Sequence, residues 1–160
     1  MFKIGDYITH PMHGAGVIES IVTKKINGSQ RDYYVLKLPV GDMVVMVPVS
    51  GCEDIGVRSI ISRSEAEKLF SAFSETEISM TQNWNKRYRE NMDKIKSGNL
   101  LDVASVVKGL MCRDSERGLS TSERKMLHSA KQILISELVI ATDMDYDGVE
   151  KRLCAALKEG

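Results

Sequence analysis

The spacing of apolar residues changes once along this chain, near Ser64, and that change limits the fold more than any other feature. Before it, short stretches rich in β-branched and aromatic residues are separated by tight-turn signals. After it, apolar residues recur three and four apart, the period of a helix with one buried face. A block of strands followed by a block of helices, with no alternation between them, predicts an α+β chain of two domains. Residues 1–62 are expected to form a small, strongly bent sheet of the SH3 or Tudor-like type, and residues 63–160 a compact all-α domain.

In the first block, Ala15–Val22 and Tyr33–Leu38 read as strands joined through the hairpin signal Asn27-Gly28. Pro39-Val40-Gly41-Asp42 turns the chain into Met43–Val49, and Pro48 places that strand at a sheet edge or at its end. His10-Pro11-Met12-His13-Gly14 breaks the chain between the first short strand and the second. In the second block, Ser64-Glu65-Ala66-Glu67 predicts a capping box opening a helix through Phe73. Ser79-Met80-Thr81-Gln82 predicts another, before a helix that runs to Lys96 and stops at Gly98. Leu100–Met111 forms a broad apolar stripe with Gly118 as its stop. Ser120-Thr121-Ser122-Glu123 caps a fourth helix, and a last one begins near Asp145 or Asp147. Short turns between helices predict antiparallel neighbours.

The formal net charge is zero, yet residues 80–131 carry eleven lysines and arginines against six acids. A local basic face on a neutral protein suits docking on an anion better than indiscriminate nucleic-acid binding. Trp84, the single tryptophan, opens that region in Asn83-Trp84-Asn85-Lys86-Arg87-Tyr88-Arg89. On a helix, Arg87 and Tyr88 fall one turn beyond Trp84, with Lys86 and Arg89 flanking them. A large ring framed by cations can hold a phosphate backbone while pressing against bases. The competing account is a core tryptophan beside solvated charges, but Asn83, Asn85, Lys86 and Arg87 predict a ring near the surface.

Enzyme motifs are absent from the sequence: no phosphate-binding glycine loop, no nucleophile elbow and no Cys-x-x-Cys pair. His10 and His13 read as turn residues, far short of a complete metal site. Asp143-x-Asp145-x-Asp147-Gly148 imitates the start of a calcium loop, but its twelfth position is Cys154 where a glutamate is needed. These acids read instead as helix-start residues. Cys52, Cys112 and Cys154, odd in number and scattered, suit idle or buried thiols in a reducing cytoplasm. Asp6 interrupts any signal-peptide apolar region, and no apolar run reaches the length of a membrane span.

Phe2-Lys3-Ile4-Gly5-Asp6, His10-Pro11-x-His13-Gly14, Tyr33-x-Val35-Leu36 and Gly56-Val57-Arg58 are followed by Asn83-Trp84-x-x-Arg87-Tyr88, Asp114-x-Glu116-Arg117-Gly118-Leu119-Ser120 and Arg124-Lys125-Met126-Leu127. In this order and spacing the chain resembles CarD/CdnL-type bacterial transcription regulators over nearly its whole length. The resemblance implies a Tudor-like domain that binds the RNA polymerase β subunit. It also implies a helical domain that contacts promoter DNA, largely without sequence preference, at the upstream edge of the transcription bubble. There the family tryptophan, here Trp84, wedges into the minor groove and slows bubble collapse. The matching basic positions are Lys86, Arg87, Arg89 and Arg124, with Lys125 beside them. Lys24 falls where relatives carry a basic polymerase contact, whereas Met46 stands where mycobacterial-type relatives place an arginine. Docking is then expected to be weaker, or to lean more on the exposed edge of the strand that holds Val45, Met46 and Val47. Related single domains occur in transcription-repair coupling factors, but this chain has no helicase motif. The implied protein is a cytoplasmic, non-enzymatic regulator with no cofactor, metal, membrane or small-molecule substrate. The alternative is a protein-interaction adapter with Trp84 buried between helices and no direct DNA contact.

Overall fold

Five short strands form one antiparallel sheet in the computed structural model, which describes residues 2–75 and 82–159. They are β1 (Tyr7–His10), β2 (Gly14–Ile26), β3 (Ser29–Lys37), β4 (Val44–Pro48) and β5 (Arg58–Ser59), in the spatial order β4-β3-β2-β1-β5. The expected Asn27-Gly28 turn closes the long β2–β3 hairpin with both residues at positive φ, 51° and 82°. Pro48 ends an edge strand, as its missing N–H requires. A register shift between Ile18 and Ser20 interrupts the β2–β3 ladder and supplies the bend. Ile8, Ile18, Tyr34, Leu36 and Val47 bury the inner face, with Cys52 and Val57 closing its end. The two-residue β5, which sequence patterning does not reveal, pairs with β1 through Ile8–Ser59 and Thr9–Arg58.

The second block forms α1 (Arg63–Glu75), α2 (Trp84–Lys96), α3 (Leu100–Arg117), α4 (Thr121–Thr142) and α5 (Tyr146–Glu159). The expected α1 cap is displaced by two residues. Ser62 Oγ accepts the Glu65 N–H and Glu65 Oε1 accepts the Ser62 N–H, so the box is Ser62-x-x-Glu65. Glu67 instead pairs with Arg152 of α5, whose guanidinium lies 4.0 Å from the Phe70 ring centre. Residues 79–81 of the second expected box lie outside the described residues; the cap seen on α2 is Asn83, accepting the Lys86 N–H. Asp145 caps α5 by accepting the Gly148 N–H at 2.7 Å. Val106, Val107 and Leu110 of α3 meet Leu134, Ile135 and Leu138 of α4 in the helical core, and Phe73 closes over it.

The two halves pack on each other through α4 and β2. Ser136 Oγ accepts the Ala15 N–H at 2.9 Å, and a Cβ on Gly14 would stand 2.6 Å from that oxygen. Glu137, fully buried, takes two hydrogen bonds from Arg58 (2.8 and 3.0 Å) and one from the Ile61 N–H (2.8 Å). Arg58 Nε also donates to the Gly98 carbonyl, so one side chain ties β5, the α2–α3 turn and α4 together.

Candidate nucleic-acid interface

Trp84 is the first residue of α2, so no preceding helical turn lies under its side chain. Trp84 is 40% exposed, and its ring stacks on Tyr88, one turn later, with centroids 5.2 Å apart and planes 19° apart. Tyr88 in turn packs against the helical core. The indole N–H donates to Ser120 Oγ at 3.3 Å. Ser120 is the N-cap of α4, so the bond sets the first turns of α2 and α4 side by side. Arg124 and Lys125 sit in that α4 turn, and Lys86 and Arg89 near the start of α2. All four are exposed.

Arg87 departs from the expected phosphate contact. It is 2% exposed, and its guanidinium is committed to Glu123 (3.0 and 3.3 Å) and to the Gln82 carbonyl. Burial would raise the Glu123 carboxyl, but the hydrogen bonds and charge of Arg87, with Arg113 beyond, hold it below the usual carboxylate value. Arg87 therefore braces α2 against α4 and adds no reachable charge. Glu123 and Ser120 carry weight beyond helix capping, which reading the α4 cap alone does not reveal. A signal was present, because Arg87, Asn91 and Ile95 recur four apart and share the buried face of α2.

On the sheet, Val35 pairs with Met46 and Lys24 with Arg31. Tyr34 and Val47 face the core, so by strand alternation Val35 and Met46 lie on the opposite, outer face. Val22, Lys24, Arg31 and Tyr33 share that face through the β2–β3 register. Val47 is buried and Val45 packs against the same core, so of the three named β4 residues only Met46 turns its side chain outward. What β4 offers is its backbone edge. The Leu38 N–H to Met43 carbonyl and Val49 N–H to Asp32 carbonyl bonds mark alternate residues as turned inward. Val44 and Met46 then turn N–H and C=O away from the sheet, and Pro48 turns its carbonyl.

The remaining candidates settle as local structure. His10 and His13 rings lie 4.6 Å apart, and His10 Nδ1 accepts the Met12 N–H. Burial, then the charge of His13, lowers the His10 pKa. Among the described residues no three metal-ligating side chains gather. Asp143 ends α4 in the left-handed conformation, and Asp145 is consumed in capping α5. No described helix is long and apolar enough to cross a membrane.

Comparison with known proteins addresses both halves. Residues 2–61 match the family model described as CarD-like/TRCF RID domain, and residues 68–154 the one described as CarD, C-terminal domain. The chain belongs to the CarD family. It is also 39% identical over 140 residues to the Bacillus subtilis (strain 168) protein named "Putative transcription factor YdeB", covering 88% of this chain and 92% of that one. The CarD family is one of transcription regulators and is not an enzyme family. In this CarD-family chain, Trp84, Ser120 and the four exposed cations lie within the C-terminal match, and the outer sheet face and β4 edge within the N-terminal one.

Proposed function

We propose that residues 1–62 dock on the β subunit of RNA polymerase while residues 63–160 stabilise the open promoter complex in the bacterial cytoplasm. The wedge is Trp84, and Lys86, Arg89, Arg124 and Lys125 hold the phosphates around it. The observation that carries this reading is an exposed indole, stacked on Tyr88 and bonded to Ser120, at the junction of two basic helix starts. Base–aromatic stacking is worth about 1–3 kcal/mol, and unstacking a duplex step costs about the same or more. A lone wedge therefore gains most where the bases are already parting. A handful of phosphate contacts supplies weak, salt-sensitive affinity with little sequence preference. The polymerase-facing surface is the free β4 edge together with Lys24 and Met46 on the outer sheet face. The match to a polymerase-interacting domain type and the location of the sheet core, within residues 8–57, support assigning that role to the first domain. The buried-tryptophan adapter draws no support from an indole this exposed.

Trp84→Ala tests the reading. With the ring outside the core, the melting temperature stays near that of the parent while open-complex half-life falls by about fivefold or more, the equivalent of losing one stacking contact. A core tryptophan would instead cost about 3–5 kcal/mol of stability. A large drop in melting temperature, or an unchanged half-life with polymerase still bound, overturns the proposal.

A further inference from the structure

We infer that Ser120 is a positioning residue for Trp84, fixing the rotation of the indole so that its hydrocarbon edge is presented to the ligand. This role rests on the wedge reading above. A side chain at the first position of a helix has few neighbours to restrict it, and an exposed ring that must enter a ligand loses affinity to any rotamer freedom it keeps. Two contacts restrict this one in different ways. Stacking on Tyr88 sets the plane of the indole but leaves open the half-turn about Cβ–Cγ that flips the ring within it. The bond from Nε1–H to Ser120 Oγ removes that turn, because the indole has a single polar atom. With Nε1 directed at α4, the six-membered ring is left as the free edge.

Ser120 can serve as a fixed point because its hydroxyl is fully used. It accepts the Glu123 N–H at 3.2 Å and the Trp84 N–H at 3.3 Å, and it donates to Glu123 Oε1 at 3.4 Å. The Glu123 carboxylate is itself held by buried Arg87. The wedge is thus aimed by a short chain of polar contacts running from Arg87 through Glu123 and Ser120 to the indole. Both ends of that chain lie on α2, and its middle is the first turn of α4.

Glycine is nearly as good an N-cap as serine, so Ser120→Gly removes the indole acceptor with little effect on α4, and Ser120→Thr keeps both functions. The sole tryptophan makes its fluorescence anisotropy in the full-length chain a direct readout of ring freedom. Ser120→Gly is expected to lower Trp84 anisotropy and to shorten open-complex half-life with the cognate polymerase by about two- to tenfold, the equivalent of one net hydrogen bond. The melting temperature falls only slightly, because Arg87 still holds Glu123; the concentration needed for polymerase binding stays the same, and Ser120→Thr restores parental behaviour. Unchanged anisotropy in Ser120→Gly, or equal losses in Ser120→Thr, overturns the inference. So does an unchanged half-life in Ser120→Gly where Trp84→Ala shortens it. If neither variant shortens the half-life, the wedge reading itself is overturned, whatever the anisotropy shows.

Discussion

Arg87 and Arg89 lie two positions apart on α2 and have opposite fates. Arg87→Ala leaves Glu123 buried and unpaired, and breaking a buried pair from one side costs about 3–5 kcal/mol. Chemical denaturation should show that loss directly. Arg89→Ala should leave the denaturation midpoint in place and reduce the salt dependence of DNA binding by about one phosphate's share. The pair also carries a pH signature. Because the folded-state pKa of Glu123 is depressed, its contribution is present above the ordinary carboxylate range and is lost as pH falls through the lower folded value. Denaturation midpoints across the acid range should fall there in the parent, and the fall should be shallower in Glu123→Gln, which begins less stable at neutral pH. That Trp84 stands near the surface was legible from its polar neighbours. Which arginine is buried was not legible from charge, since sequence composition treats all cations in a basic helix alike. Only the spacing back from Ile95 separates them, and it places an arginine where an apolar residue is expected.

Among the elements, β4 carries the backbone edge proposed to meet the polymerase. Reversing the charge at the outer face, Lys24→Glu, should weaken capture of the polymerase β subunit more than Met46→Ala does, because only the former turns attraction into repulsion. A pull-down with full-length variants checks the order; equal losses would argue that charge on this face is idle. The element boundaries were largely legible, since Asn27-Gly28, Pro48, Gly98 and Gly118 each act through local backbone preference. The α1 cap was displaced because Ser62-x-x-Glu65 and Ser64-x-x-Glu67 overlap, and local pattern cannot rank them. Packing does. Glu67 is on the side of α1 that meets Arg152, so the earlier pair is left to cap the helix. β5 was invisible for a related reason: two residues carry no periodicity, and only their partner β1 makes them a strand.

At the scale of the whole molecule, Arg58 and Glu137 join segments 79 residues apart. Arg58→Ala strands a wholly buried carboxylate and should lower the calorimetric melting temperature markedly. Arg58→Lys should not rescue it, because an ammonium cannot supply the forked pair to Glu137 together with the bond to the Gly98 carbonyl. Full recovery in Arg58→Lys would show that charge alone holds the halves. Neither partner announces this role in the sequence: Arg58 follows a turn, and Glu137 stands beside Ser136 in a break between apolar residues of α4. Their union also changes what the short segment between the sheet and α1 is for. A flexible tether sets the effective concentration of its second contact by its length, and lengthening it tunes avidity gradually. Here Ile61 donates its own N–H to Glu137, so the connection is part of the clasp. Reach between the β4 edge and the indole is therefore set by geometry, and a residue inserted beside Ile61 would break the clasp before it extended the reach.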